Sequence, residues 1–454
     1  MRGTTTAAAV AGNPGNCGRI GRALILVCVI AGCGVTLSAC HRAPRGSEPL
    51  RVSIYGVDGA DWKVIDPLLA SGELPHLAAL IRDGVRAPFQ SILPLASPPV
   101  WTTIATGVER AKHGVEQFIT QGVPAVLRPG GFLVSSRDRK VPALWTIASQ
   151  YHVSTAVLGW WATYPAEKID GVMVSERAFK TREKDLRMLF GGSKTVKTDL
   201  VYPPAALQRV ADLIVSGPEK SAGEKLDTII EAMRSEDGAI ARSLIRLRDD
   251  YHPRLEMILM RGVDVTSHHF WKFHEPDAAV YSEDERPSAA EVARYGEAVR
   301  NHYRYVDGLI GELLAGRTAA DVTLVVSDHG FEAGRQPFRR GKEQLSGTHK
   351  SESASRGIFI AAGGPFRRNV RLDSVSILDV APTVLHLLGL PVAETLSSTP
   401  RLDALEPEWV AAHPVRHVAS YPGPAVVLSD ETASRDSLVD DAVREQLRSL
   451  GYLK

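Results

Sequence analysis

Three short apolar runs of this chain each lead into an aspartate. RVSIYGV at 51–57 ends at Asp58, LEMILMRGV at 255–263 ends at Asp264, and DVTLVVS at 321–327 ends at Asp328. Runs of this length and apolarity read as buried strands. Helical stretches separate them. Residues 61–83 form a helix broken at Gly72, restarted at Pro75 and stopped at Gly84, and Ser97-Pro98-Pro99 opens a helix running to about Thr106-Gly107. Helices are also expected at 142–151, 288–315 and 376–390, and strands at Pro88 to Pro94, in VSTAVLGWW and at 356–361. Strands alternating with helices predict an α/β fold: a doubly wound, mostly parallel sheet with helices on both faces.

Residues 176–250 differ. They are charge-rich and helical (REKDLRMLF, AALQRVADLIV, EKLDTIIEAM, ARSLIRLRDD) and are expected as a helical cap or insertion beside the sheet. The expected catalytic domain spans 50–392. Residues 393–454 are weakly patterned and form a C-terminal extension ending in a short amphipathic helix and LGYLK.

The N-terminus carries an export address. Arg19 and Arg22 precede the apolar run ALILVCVIAG, and small residues lead to Leu37-Ser38-Ala39-Cys40. This order describes a secretory signal, and its end resembles the lipobox of bacterial lipoproteins. The resemblance implies a signal peptide at 1–39, lipidation of Cys40 and a polar tether at 40–49. Ile30-Ala31-Gly32-Cys33 fits the same pattern, but the chain stays apolar after Cys33, whereas the tether-like HRAPRGSEP follows Cys40. An uncleaved anchor helix would need roughly 20 apolar residues; Ala23 to Ala39 supplies 17, with glycines and cysteines among them. The expected location is the cell envelope, as a periplasmic or outer-membrane lipoprotein held to its membrane by the N-terminal lipid.

Composition narrows the chemistry. All four cysteines lie at or before position 40, so the rest of the chain holds neither a disulfide framework nor a thiolate metal site. Lys+Arg 53 against Asp+Glu 52 gives a net charge of +1, with no basic surface asking for nucleic acid. Neither argument bears on oligomeric state, which is left open.

In open α/β sheets ligands bind beyond the carboxyl ends of the strands. Three carboxylates brought to one edge repel each other and call for cations. Histidines accompany them: His268 lies four residues after Asp264, His329 follows Asp328 directly, and His349 sits in the polar loop SGTHKSESASRG. Three Asp and three His suit two divalent ions such as zinc. Each piece alone has an ordinary explanation, as a turn, a cap or an intrahelical Asp–His pair. Ser97 is by itself a helix N-cap; beside a metal it is also a candidate nucleophile, since a bound cation lowers the pKa of a hydroxyl and the helix N-terminus favours a phosphate. No G-x-S-x-G elbow supports a Ser-His-Asp relay.

Taken in order, GVDGAD, SPPVWTTIATG followed by KHGV, RGVDVTSHHFWKF, VSDHGF, GTHK and DVAPTVLHLLGLP resemble the alkaline phosphatase superfamily, most closely its type I phosphodiesterase/nucleotide pyrophosphatase branch. The resemblance runs from about residue 51 to 392 and implies an alkaline phosphatase-like fold with two zinc sites. Asp58, Ser97, Asp328 and His329 match the site that activates the nucleophile; Asp264, His268 and His349 match the site on the leaving-group or water side. It further implies a phosphate ester substrate and in-line attack by Ser97 through a phosphoseryl intermediate, with diesters preferred. Many members of that branch have threonine where Ser97 stands, and an asparagine beyond the HG motif that contacts phosphate; Gln117 is the substitute candidate here. His268, rather than His269, matches the ligand spacing. Trp101 stands where a formylglycine sulfatase needs arginine, and the large insertion comes too late in the chain for a phosphomutase. Trp160, Trp161, Tyr164 and Trp271 are candidates for a substrate pocket, and Arg110 is the cation nearest Ser97 in sequence. A phospho-headgroup transferase built on the same residues, and a catalytically idle ligand-binding lipoprotein, are the alternative readings.

Overall fold

The computed structural model describes residues 50–120, 130–182, 184–185, 189, 198–215, 225–334 and 345–453. The signal, the tether and Cys40 lie outside them. Among the described residues the main sheet has ten strands. In chain order these are β1 (Val52–Val57), β2 (Gly84–Gln90), β3 (Thr155–Leu158), β4 (Gly171–Val174), β5 (Val201–Tyr202), β6 (Leu255–Met260) and β7 (Val322–Val326), followed, after a two-stranded ribbon of β8 (Glu332–Ala333) and β9 (Gly347–Thr348), by β10 (Arg356–Ala362), β11 (Val370–Arg371) and β12 (Val375–Ser376). The spatial order is β11-β2-β10-β7-β1-β6-β3-β4-β5, with β12 also on β2. The centre, from β7 through β1, β6 and β3 to β4, is parallel. Strand β10 runs antiparallel to both β7 and β2, and β5 runs antiparallel to β4.

The largely apolar runs follow from burial of both faces. In β1, Tyr55 and Val57 enter one core while Val52 and Ile54 enter the other. Ile258 and Met260 of β6 likewise oppose Leu255, Met257 and Leu259. One face is covered by helices including Trp62–Ala70, Pro75–Arg82, Lys225–Tyr251 and Ala298–Leu314, the other by Ser97–Thr106, Leu144–Gln150 and Val380–Leu387. Side chains thus alternate between two dry layers, which is why no polar alternation marks these strands.

Several boundaries differ from the sequence reading. Gly84 does not stop a helix; Asp83 ends it and Gly84 opens β2, where a Cβ would lie 2.2 Å from the Ala361 carbonyl oxygen. The strand expected at Pro88–Pro94 is Gly84–Gln90. Pro88 is tolerated inside it because β11 pairs with Val85 and Arg86 and β12 with Phe89 and Gln90, leaving no ladder partner on that side of the proline. The helix expected at 288–315 is two, Ala289–Tyr295 and Ala298–Leu314. Within 176–250 the helix Lys225–Tyr251 sends Ile240, Leu244 and Leu247 into the core on the sheet, so it belongs to the covering layer. In the C-terminal extension Leu405 and Leu447 join the opposite core. No single helix among the described residues is long and apolar enough to cross a membrane.

Candidate active site

Strands β7, β1 and β6 are adjacent and parallel, so their carboxyl ends open on one edge. Asp58 follows β1 directly, and Asp328 and His329 follow β7 after Ser327. Ser327 fastens this edge: its hydroxyl accepts the Ala60 N–H at 2.7 Å and donates to the His329 carbonyl at 2.8 Å. Asp264 arrives differently from expectation. Strand β6 stops at Met260 and the helix Gly262–His274 begins, so Asp264 and His268 lie one turn apart on a helix face. Asp237 holds that helix's start, accepting the Arg261 N–H at 2.9 Å and the Gly262 N–H at 3.1 Å. Only glycine fits at 262, where a Cβ would meet His302 Nε2 at 2.1 Å. The Asp–His pair is therefore both intrahelical and aimed at the strand ends.

Two clusters of potential ligand atoms result: Asp58, Asp328 and His329, and Asp264, His268 and His349, with the atoms of each group within 4.8 Å of one another. All six residues are buried. His329 Nε2 lies 3.4 Å from Asp328, 3.5 Å from Asp58 and 3.9 Å from Asp264, which joins the groups into one centre. Backbone carbonyls choose the tautomers. His329 Nδ1 faces the Gly330 carbonyl and His268 Nδ1 the Gly347 carbonyl, each at 3.0 Å, so Nδ1 carries the proton and each Nε2 offers a lone pair.

The electrostatics are those of a cation site. Burial, then the charge of Asp328, pushes the Asp58 carboxyl well above its usual range. Burial, then Asp58, does the same to Asp264, and burial is the main cause raising Asp328 to about 7. Burial holds His268 down to about 3 and lowers His329 and His349, so the imidazoles are neutral and cannot balance the acids. Asp58 Oδ1, Asp264 Oδ1, Asp328 Oδ2 and His329 Nε2 are buried without a hydrogen-bond partner. Four unsatisfied donor atoms of oxygen and imidazole type in one dry centre fit divalent cations.

Ser97 shares a small cavity with Asp58 and Asp264. It is the first residue of the helix Ser97–Thr106 and is 3% exposed; Ala96, not Ser97, is the N-cap, and no side chain caps the helix. Pro98 and Pro99 carry no N–H, and the Val100 N–H bonds the Ala96 carbonyl at 3.2 Å. The helix end therefore offers the Ser97 N–H rather than a row of donors to an anion.

The family described as type I phosphodiesterase / nucleotide pyrophosphatase matches residues 53–353, a stretch containing all seven of these residues. The chain belongs to that family. No curated protein matches the sequence. Among solved structures, human ectonucleotide pyrophosphatase / phosphodiesterase 5 is 12% identical with a TM-score of 0.46, over 78% of this chain and 100% of that one. Its murine counterpart, as an inactive variant in complex with AMP, is 13% identical with a TM-score of 0.46, over 79% of this chain and 100% of that one. This chain is thus a phosphodiesterase/nucleotide pyrophosphatase-type hydrolase of the alkaline phosphatase superfamily.

The remaining candidates of this phosphodiesterase family member separate. Gln117 is exposed and is not among the residues lining the Ser97 cavity; its neighbour Phe118 is. Of the four aromatics only Trp161 lines it. Trp160 packs edge-on against Trp101 at 5.1 Å, Tyr164 lies under Arg177, and Trp271 stacks on Phe331 at 5.4 Å. His269 lies outside both ligand clusters and lines a different cavity. His113 is buried and structural: its Nδ1 accepts the Val115 N–H at 3.1 Å and its Nε2 faces Thr103 at 3.0 Å. Arg110 turns away to the Pro94 carbonyl at 2.7 Å. Among the described residues the cation lining the cavity is Arg261, which local sequence pattern does not single out. It stacks over Trp161 at 4.9 Å and pairs with Glu236, while its Nε is buried and unpartnered. Its signal was position: it is the first residue beyond β6, on the edge that carries the acids. Gln446, Leu447, Leu450 and Tyr452 of the C-terminal extension also line this cavity, and nothing in their pattern announced it.

Proposed function

We propose that this chain is a two-cation phosphohydrolase that cleaves phosphodiesters through Ser97. The observation that supports the reading is the meeting of two Asp/His clusters, with unpartnered carboxylate oxygens, beside a buried serine at a helix N-terminus. Asp58, Asp328 and His329, with Ser97, would hold one divalent cation and Asp264, His268 and His349 the other, with zinc the natural choice for this donor set. Such cations neutralise charge building on the phosphate oxygens and lower the pKa of a hydroxyl.

The chain's own groups do the rest. The Ser97 hydroxyl loses its proton and attacks phosphorus in line; the ester oxygen on the opposite side leaves with its electron pair and takes up a proton as an alcohol, giving a seryl phosphate that keeps the other ester group. Water then attacks from the side the alcohol vacated, the Ser97 oxygen leaves and regains its proton, and a phosphate monoester is released. The Ser97 N–H and the Arg261 guanidinium face the phosphate oxygens, and Phe118 and Trp161 keep bulk water out. Arg261 shares Glu236 with Lys180, and the preference for diesters is supported by the phosphodiesterase family alone.

The catalytic domain is placed in the envelope by the N-terminal address, with Cys40 as the lipidated residue and the lipid as its membrane anchor. Metabolic labelling with a tritiated fatty acid tests this: the label should be lost in Cys40→Ala and kept in Cys33→Ala. For the chemistry, the protein is stripped with chelator, reloaded with zinc and given bis(p-nitrophenyl) phosphate, p-nitrophenyl phosphate and p-nitrophenyl sulfate. Zinc-dependent turnover should be fastest on the diester and fall by at least about 10³-fold in Ser97→Ala. Comparable turnover of the sulfate, or an active Ser97→Ala, would overturn the assignment.

A further inference from the structure

The segment after residue 439 reaches the Ser97 cavity, which Gln446, Leu447, Leu450 and Tyr452 line. The helix Asp440–Ser449 is tied down by a buried ion pair of Arg177 with Asp440 at 2.7 Å and by Arg444 on the Gly131 carbonyl at 2.6 Å. Its Val443 and Leu447 enter the core, and Leu450 packs with Met233 and Val265. Gly451, with φ of 76°, then reverses the chain: its N–H bonds the Arg448 carbonyl at 3.1 Å and the Tyr452 N–H bonds the Leu447 carbonyl at 2.9 Å. This pair of bonds is the Schellman ending of a helix. It aims Tyr452 back at the strand ends, where the ring stacks on Phe118 with centroids 4.5 Å apart.

The Tyr452 hydroxyl lies 2.9 Å from His268 Nε2 and 2.7 Å from His349 Nε2. Since His268 Nδ1 already donates to Gly347, its Nε2 accepts the phenolic proton. The phenol oxygen then accepts from His349 Nε2–H, which leaves His349 Nδ1 as a buried lone pair without a partner. Both nitrogens that point at Asp264 are thus engaged by one hydroxyl, and neither is available to a cation while the contact lasts. The space left beside Ser97 is about 20 Å³, room for about one water. No phosphate ester fits there with Tyr452 in place. These residues lie outside the stretch that matches the phosphodiesterase family, which ends at residue 353.

We propose that the C-terminal segment Val439–Leu453 is the specificity wall of this site, and that the Tyr452 hydroxyl stands in for a ligand at Asp264, His268 and His349, so that the second cation and the ester enter only as it withdraws. The proposal rests on the two-cation reading above and adds a competitor that the chain carries itself. An ester group pays no steric penalty only if it replaces the Tyr452 ring against Phe118; the wall therefore selects by the size of the group on the leaving side.

The test uses the full-length chain in detergent, with Tyr452→Phe and a deletion of residues 451–454 as two independent variants. Zinc affinity is measured by competition with a chromophoric chelator, and exchange of the 440–453 amides is followed by hydrogen–deuterium exchange. In Tyr452→Phe the second zinc should bind about ten- to a hundredfold more tightly, the equivalent of the two hydrogen bonds lost. The deletion should tighten it at least as much. KM for bis(p-nitrophenyl) phosphate should fall in both variants, and in wild type zinc with orthophosphate should speed exchange at 440–453. Unchanged zinc affinity and KM in both variants, with Ser97-dependent turnover intact, would overturn the proposal alone. A zinc shift without any Ser97-dependent turnover would support it while removing the hydrolase reading.

Discussion

Replacing Asp328 with asparagine should stabilise the metal-stripped protein at pH 8 while disabling the site. Asp328 is fully buried, and burial followed by the charge of Asp264 raises its pKa from 3.8 to about 7, against the opposing hydrogen bonds from Asp58 and the Gly59 N–H. A carboxyl whose folded pKa lies above its unfolded one keeps its proton in the native state while the unfolded chain has released it. Native stability is therefore undiminished below about pH 4, falls as pH rises through the window from 3.8 to about 7, and stays low above it. At 1.36 kcal/mol per pKa unit, a displacement of about three units bounds the deficit at pH 8 at about 4 kcal/mol. Asparagine has the same shape, carries no charge and keeps an acceptor for the Gly59 N–H at 3.3 Å. Thermal unfolding in excess chelator should then show Asp328→Asn melting above wild type at pH 8, with the gap closing near pH 4. Adding zinc should reverse the order, because only the wild-type site gains binding energy in the native state. An asparagine variant that melts below wild type by the same margin at both pH values, in chelator, would refute the reasoning, since Asp328 would then be an ordinary structural acceptor.

Two further outcomes follow from the same geometry. Arg261→Met removes the cation from the Ser97 cavity and should lower kcat/KM on diesters about ten- to a hundredfold, as expected for a charge-assisted hydrogen bond; partial recovery in Arg261→Lys separates this from the loss of its Glu236 pair. Gly347→Ala places a Cβ 2.3 Å from the Ser267 carbonyl and shifts the carbonyl that fixes the His268 tautomer. It should weaken one zinc of two by roughly 10–100-fold, the usual cost of disturbing a ligand's hydrogen-bond partner, with the other site intact by chelator titration.

Much of the centre was legible because strands covered on both faces have a plain signature. Residues 52–57 and 322–326 are mostly apolar and buried along their whole length, and Asp58 and Asp328 stand just beyond their ends. Asp264 is legible for a partly mistaken reason: the apolar run reads as strand to residue 263, yet the strand ends at Met260 and a helix starts there, organised by Asp237 of the preceding helix. Gly84 misled because a glycine after a helix usually ends it, whereas here close approach to Ala361 demands it. Arg261 and Tyr452 were out of reach of local pattern. Arg261 is chemically ordinary until Trp161 and Glu236 fold around it, and Tyr452 is nearly two hundred positions from His268.

The central claim is that six side chains from separate parts of the chain hold two cations beside Ser97. The most direct measurement is zinc per chain by plasma mass spectrometry on protein reloaded after stripping, for wild type, His329→Ala and His268→Ala. The account predicts about two ions in wild type and about one in each variant, with the remaining ion belonging to the untouched cluster. Wild type that binds no zinc, or both histidine variants retaining the full wild-type content, would contradict it.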